Sequence, residues 1–227
     1  MDWFTENVLE NRAITNAVPE ALWETIQMVV ISSIATIILG LIVGLIMHIT
    51  RPGGLAPVRW LYVIISSIIV NITRSIPYAI LIVALIPFTQ FLVGTAIGPI
   101  AATVSLTIAT APFFARLVET ALREVPAGTV DAAQVMGLSK AQIVSKIYLP
   151  EALPGLVAAS TNTIVVLIGY SAMAGLVGGG GLGRLAYNYG YQRFDTAVML
   201  VTVILIVVLV QIIQFIGDQI VKYVDHR

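Results

Sequence analysis

The length of its apolar runs constrains this chain more than any other feature. From Leu22 to Ile49, Trp60 to Val93, Ile97 to Thr120, Ala152 to Met173 and Thr196 to Ile216, apolar residues follow one another with few charges between them. About 20 such residues cross roughly 30 Å of hydrocarbon when wound as a helix. Only a helix or a closed barrel satisfies its own backbone hydrogen bonds in lipid. The runs therefore predict an all-α integral membrane protein with five transmembrane helices and the lipid bilayer as its solvent. Composition agrees, since 58% of the residues are hydrophobic and only 11% are charged. A soluble domain of this length needs more charge to cover its surface.

The second run is awkward, because "NITRSIP" interrupts it. It is too long for one straight crossing and too short for two with a loop between them. One helix, kinked or re-aimed near Pro77, is expected, since an interior proline removes a backbone hydrogen bond. Orientation follows from lysine and arginine. With the N-terminus outside, Arg51, Arg59, Arg116, Arg123, Lys140, Lys146, Lys222 and Arg227 fall on the cytoplasmic side. Arg12, Arg184 and Arg193 fall outside, and Arg74 is ambiguous. The asymmetry predicts N-out, C-in.

Residues 1–20 then form an extracytoplasmic segment, 21–224 the transmembrane domain and 225–227 a cytoplasmic tail. The first twenty residues lack a basic region and a cleavage site, so no signal peptide is expected to be removed. Trp3, Phe4, Val8 and Leu9 are expected to rest at the membrane interface.

Within the transmembrane domain, residues 126–150 are neither a span nor a random loop. "GTVDAAQVMG" has the signals of a short helix, with Thr129 as N-cap, Asp131 at the positive helix end and Gly137 in left-handed conformation closing it. A second helix follows at once, opened by a Ser139–Gln142 capping box, and Pro150 marks the next boundary. Ala132 and Ala133 leave one side of the first helix nearly bare, so that another surface can approach its backbone. Docking on a partner and tucking against its own bundle both fit these signals.

The spacing Asp131-Ala132-Ala133, three residues, Gly137, nine residues, Ile147-Tyr148-Leu149-Pro150 resembles the E-A-A…G…I-x-L-P signature of permease subunits in binding-protein-dependent ABC importers. The one departure is Asp for Glu, which keeps the charge and shortens the reach by a methylene. "NITRSIPYAILIVALIPFT", "APFFARLVETALREVP", "LPEALPGLV", "GYSAMAGLVGGGGLG" and "YGYQRFDTAVM" are further similar to permeases of methionine ABC importers. The resemblance implies a type I ABC importer permease fold with cytoplasmic coupling helices, in the bacterial inner membrane. It implies a homodimer with the path at the subunit interface, two copies of a cytoplasmic ATPase, an extracytoplasmic methionine-binding protein and methionine as substrate. It also implies that Asp131, Ala132, Ala133, Gly137, Ser139, Ile147, Leu149 and Pro150 couple to the ATPase.

Other stretches admit two readings each. "GYSAM" ends the fourth span with soft polar side chains; Tyr170, Ser171 and Met173 either line the pathway, with Met173 as an apolar gate, or serve helix packing. The glycine run from Gly178 to Arg184 fits neither a dinucleotide-binding turn, for which no strand precedes it, nor a P-loop, where Lys and Ser/Thr are required. Its flexible backbone and the following "RLAYNYGYQRFD" either meet a binding protein or form an interfacial aromatic belt. Arg116, Glu119 and Arg123 are spaced to pair as surface charges, with the alternative that they border the ATPase dock. Arg74 is expected to snorkel near the outer interface, and Gly40 with Gly44 forms a close-packing GxxxG.

Several classes are excluded. The net charge of +0 argues against nucleic acid, and the chain has no cysteine. His48 and His226 lack metal-motif spacing, and no hydrolase or nucleotide motif occurs, so no catalytic residue, metal or cofactor is expected. Scarce ionisable residues in the span centres count against the remaining alternative class, an ion-coupled carrier or stand-alone channel. Within the importer family, another amino acid or small solute is the near alternative to methionine.

Overall fold

A computed structural model of the chain describes Asn11 and residues 13–225. The expectations for Trp3, Phe4, Val8, Leu9, Arg12, His226 and Arg227 lie outside the described residues. Among those described there is no strand. After a π turn at Ala13–Ala17, helix α1 runs over Val18–Thr50, α2 over Arg59–Ser75, α3 over Tyr78–Ala84 and α4 over Ile86–Val93. There follow α5, Pro99–Arg123; α6, Ala127–Val135; α7, Lys140–Leu176; α8, Gly181–Leu185; and α9, Thr196–Val224. With its 33 residues, α1 is about 50 Å long at about 1.5 Å per residue, more than a bilayer core needs. Among the described residues α1, α5, α7 and α9 are long and apolar enough to cross a membrane, and α2 with α3 passes the same test only as a bent pair, a broken span or a re-entrant loop.

The second apolar run breaks where expected, but it is not a single kinked helix. Ile76 (φ −86°, ψ 122°) and Pro77 (φ −57°, ψ 133°) are both extended, and the chain turns by 100° between α2 and α3. Proline pushes the residue before it out of helical conformation as well as lacking its own N–H, so two residues leave the helix together. The helices also depart from their expected limits. The third begins two residues late, at Pro99, but runs on past Thr120 to Arg123, and the fourth begins at Lys140 rather than Ala152.

The chain forms two compact units. One takes in the residues up to Ile34, Pro77–Ala109 and Ile164–Ile213. It holds two apolar clusters, around Met28, Tyr78, Leu106 and Leu167, and around Val18, Leu182, Leu185 and Val198. The other comprises Ala35–Ile76, Thr110–Thr163 and the chain from Gln214 onward. Its core joins Phe114, Val118 and Leu122 of α5 to Val130 and Ala133 of α6 and to Ile143, Tyr148 and Ala152 of α7.

Polarity is inverted relative to a soluble protein. Ile34, Ile38 and Ile42 of α1, Ile68 and Ile72 of α2, and Ile204, Val207 and Phe215 of α9 are exposed, whereas Thr36, Thr110, Thr163 and Thr202 are buried. An apolar exterior suits lipid, and small hydroxyl residues let helices approach closely. Each buried hydroxyl needs an acceptor: Thr36 pairs with Thr110 at 2.7 Å, and Thr163 donates to the Ala159 carbonyl at 2.8 Å. The GxxxG of the first span packs against α5. A Cβ on Gly40 would lie 2.7 Å from Phe114 Cδ1, and one on Gly44 2.6 Å from Val118 Cβ.

Candidate functional site

Residues 126–150 fold as two helices joined by one tight turn. The first starts three residues earlier than the sequence suggested, with Pro126 as N-cap, so Thr129 lies inside α6 and caps nothing. Proline's fixed φ suits a helix start, and its missing N–H is needed by no partner there. Gly137 ends α6 in left-handed conformation at φ +78°. Its N–H donates to the Gln134 carbonyl at 2.9 Å and that of Leu138 to the Ala133 carbonyl at 3.1 Å, the paired bonds of a Schellman ending. The capping box forms as expected: the Gln142 N–H donates to Ser139 Oγ at 3.4 Å and the Ser139 N–H to Gln142 Oε1 at 2.8 Å. Both ends are thus tied locally, and the angle between α6 and α7 is held by backbone bonds.

Pro150 is not the expected boundary. Helix α7 runs through it, because the turn before it, Val144–Tyr148, is wound as a π-helix. The Leu149 N–H reaches back to the Val144 carbonyl, and the wider turn accommodates a residue that brings no N–H of its own.

Burial sorts the motif residues. Ala133 is fully buried and, with half-buried Ile147 and Leu149 around Tyr148, belongs to the core shared with α5. Asp131, Ala132, Gly137, Ser139 and Pro150 are exposed, as are Gln134, Val135 and Met136. Of the two alanines only Ala132 offers a bare outer face. Asp131, Gln134 and Tyr148 line a cleft of about 400 Å³ together with Arg51 and Arg123.

Beside this cleft lies a buried ionic hub that the sequence disclosed only in part. Arg116, Glu119 and Arg123 do pair, at 2.7 Å and 2.5 Å, but Glu119 is 1% exposed and so is not a surface charge. Three residues of α2 complete the hub. The Tyr62 hydroxyl donates to Glu119 Oε1 at 3.2 Å, and Arg116 donates to Ser66 Oγ and Asn71 Oδ1, both at 2.9 Å. Three donors thus satisfy the buried carboxylate without water. Helix spacing disclosed the pair on α5; nothing local pointed to partners some 45 to 57 residues away. Arg74, expected at an interface, lies over the Phe113 ring at 5.9 Å.

In the other unit the glycine run is a packed turn, not flexible backbone. Gly178, Gly180 and Gly181 have positive φ, and Gly179 to Gly183 are buried. Two residues of α1 secure it. Glu24 Oε2 accepts the Gly181 N–H at 2.6 Å, and Thr25 Oγ1 accepts that of Leu182 at 2.9 Å. The Glu24 carboxylate also pairs with Arg184 at 3.2 Å. A Cβ on Gly183 would lie 2.1 Å from the Ala172 carbonyl oxygen, which is why the run tolerates no side chain there. The available sequence signal was Glu24 itself, a carboxylate inside a long apolar run. Beyond the turn, Tyr187, Tyr191 and Phe194 are exposed, and Arg193 lies over the Tyr189 ring at 4.3 Å.

The residues named for the pathway do not share one environment. Tyr170 stacks on Tyr78 with ring centroids 4.5 Å apart, and Ser171 is buried, donating to the Ile168 carbonyl at 2.7 Å. Met173 is exposed beside Leu176 and Val177.

Comparisons with known proteins bear on what this arrangement does. The family described as binding-protein-dependent transport system inner membrane component matches residues 37–227. The probable D-methionine transport system permease protein MetI of Vibrio cholerae serotype O1 is 51% identical over 207 residues, 91% of this chain and 92% of its own length. The methionine import system permease protein MetP of Bacillus subtilis is 46% identical over 182 residues, 80% of this chain and 82% of its own. A chain in a structure titled as an inward-facing conformation of the MetNI methionine ABC transporter is 48% identical, with a TM-score of 0.93 over 95% of this chain and 100% of that one.

Proposed function

The chain belongs to the family of binding-protein-dependent transport system inner membrane components, and from that premise we propose that it is the permease subunit of an ATP-driven methionine importer. It is a multi-pass protein of the inner membrane and not itself the ATPase. The observation that carries the coupling role is the Asp131–Pro150 segment. A short helix is tied at its C-terminal end to a capped turn and packed against α5 through Ala133, while Asp131, Ala132, Val135 and Met136 face outward. Val135 at the end of α6 and Met136 just beyond it are 89% and 70% exposed, an apolar tip that in this reading the ATPase covers.

In this reading two copies of the chain form the pathway between them, and two ATPase subunits hold the coupling segments on the cytoplasmic side. An extracytoplasmic binding protein delivers methionine. ATP closes the ATPase pair, the segment from Asp131 to Lys140 follows, and the α5–α7 core carries the displacement into the membrane helices. The excess of Lys and Arg on the segment's side supports N-out, C-in. Of the three pathway candidates, exposed Met173 is the one free to meet substrate or a second subunit. Half-buried Tyr170 stacks on Tyr78, and buried Ser171 is bonded within its own helix.

Purification of the tagged chain from its membrane tests this. An ATPase is expected to co-purify, with ATP hydrolysis that rises when the binding protein and methionine are added. A chain that purifies alone and moves methionine down an ion gradient would be a carrier, and the proposal would fall.

A further inference from the structure

Glu20 and Glu24 stand one turn apart near the start of α1, a spacing that brings Cβ atoms within about 5–6 Å, and only one of the two has a cation. The Nη2 amino group of Arg184 donates to both oxygens of Glu24, at 3.3 and 3.2 Å. Glu20 is exposed and has no ion-pair or hydrogen-bond partner among the described residues. The Arg184 side chain is 43% exposed and carries more N–H donors than it turns to Glu24. Like charges four residues apart on a helix repel. A carboxylate in the first turn suits the helix dipole, which accounts for Glu20 but for none of the groups gathered beside it.

Those groups line a cleft. Glu20 and Arg184 share a space of about 300 Å³ with Asn188 and Tyr189, and all four belong to one compact unit. Small-molecule pockets measure roughly 300–1,000 Å³, so this one suits a small ligand. Its other walls are short or apolar, among them Ala17, Ala21 and Leu185. Ala21 and Leu185 are fixed in the apolar cluster with Val18 and Val198, and the glycine turn beneath Arg184 is bonded to Glu24 and Thr25. A free carboxylate, a guanidinium with spare donors, an amide and an aromatic ring therefore meet in one small cleft on rigid backing. An α-amino acid is the chemical complement of that set. Its ammonium matches Glu20, its carboxylate matches the N–H groups of Arg184 and Asn188, and its side chain matches the apolar wall. A simple anion or a simple cation would use only half of it.

We infer that the cleft between the start of α1 and the Arg184–Tyr189 stretch is a reception site for a free α-amino acid, with Glu20 binding the ammonium and Arg184 the carboxylate. The inference rests on the importer reading, which makes the ligand methionine and, with the N-terminus outside, puts the cleft on the side where the binding protein delivers it. Glu24 is then a positioning residue, holding the guanidinium in place by one amino group and leaving its other donors to the ligand. A thioether laid against Tyr189 adds a sulfur–aromatic contact that a purely aliphatic side chain does not make.

The test uses the complex of this chain with its ATPase in nanodiscs, where both faces are accessible. Ala17→Cys puts a single thiol on the cleft wall of a chain that has no cysteine. Its rate of modification by a small thiol reagent is measured with methionine, with N-acetylmethionine, which lacks the ammonium, and with methionine methyl ester, which lacks the carboxylate. Methionine is expected to slow the reaction saturably, and the two derivatives are not. Adding Glu20→Gln is expected to raise the half-protecting concentration about ten-fold, the loss of one charged hydrogen bond. No slowing by methionine, or equal slowing by all three compounds, overturns the inference. Protection that survives Glu20→Gln unchanged also overturns it, because methionine then acts from elsewhere. So does protection by ligand-free binding protein with none by methionine, which would make the cleft a protein contact. Should the thiol at Ala17 not react, Asn188→Cys carries the same test; a cleft closed to the reagent at both positions admits no amino acid, and the inference falls. Absence of ATP-dependent methionine uptake by the wild-type complex with its binding protein fails the importer reading instead, so the two failures are distinguishable.

Discussion

Glu119 shows how much of this chain's chemistry hangs on single buried charges. It receives both arginines of its own helix and the Tyr62 hydroxyl of α2 while almost wholly out of solvent. Removing it leaves Arg116 and Arg123 facing one another, although both are partly exposed and can turn away. Glu119→Ala is therefore expected to destabilise the chain by about 2 kcal/mol, below the full penalty for a stranded buried charge. Thermal unfolding in detergent measures this; a melting temperature equal to wild type would show that the hub stabilises nothing. Met173 is the opposite case, an exposed thioether in a chain whose other pathway candidates are packed. If it closes the pathway, Met173→Ala raises substrate leak or basal ATP hydrolysis, and unchanged values of both remove it from the gate. Residue-scale legibility was uneven for a physical reason. The i,i+3 and i,i+4 spacing of the three charges lies within one helix and can be counted. Their partners on α2, like the Glu24 contacts with Gly181 and Arg184 157 and 160 residues away, are brought in by tertiary packing.

Among the elements, the turn from α6 to α7 matters most to function and was the most legible. Gly137, Ser139 and Gln142 act through bonds spanning three to five residues, so their types and spacing suffice to place them. The misplaced N-cap followed from the same locality. Thr129 is a favoured capping residue, but Pro126 begins the helix one turn sooner. Pro150 misled because proline ends a helix by default, whereas a π turn ahead of it keeps α7 continuous. The left-handed φ of Gly137 makes a sharp prediction. Gly137→Val forces a β-branched residue into a conformation that costs about 1–2 kcal/mol, so the turn opens and uptake is lost. Gly137→Asn, which tolerates that conformation, is expected to retain most of it. Equal uptake by the valine variant and wild type would refute the need for a fixed angle.

For the whole molecule, apolar run length was enough to announce an all-helical membrane protein, because hydrocarbon leaves a chain so few ways to satisfy its backbone. The 100° turn at Ile76–Pro77 was harder to read, since sequence locates a proline but not how far the chain re-aims there. Orientation rests on the distribution of Lys and Arg and is directly testable, because the chain contains no cysteine of its own. A single cysteine replacing Lys140 is expected to react with an impermeant thiol reagent only from the cytoplasmic side, and one replacing Arg193 only from outside. The reverse pattern would invert the topology and move the coupling segment away from any cytoplasmic ATPase. The account's central claim is that this chain carries methionine inward when an ATPase drives it through that segment. Uptake of labelled methionine into proteoliposomes holding the chain, its co-purifying ATPase and its binding protein tests the claim most directly. Uptake that requires ATP and all three proteins is the predicted result; a complex that hydrolyses ATP yet leaves methionine outside would contradict it.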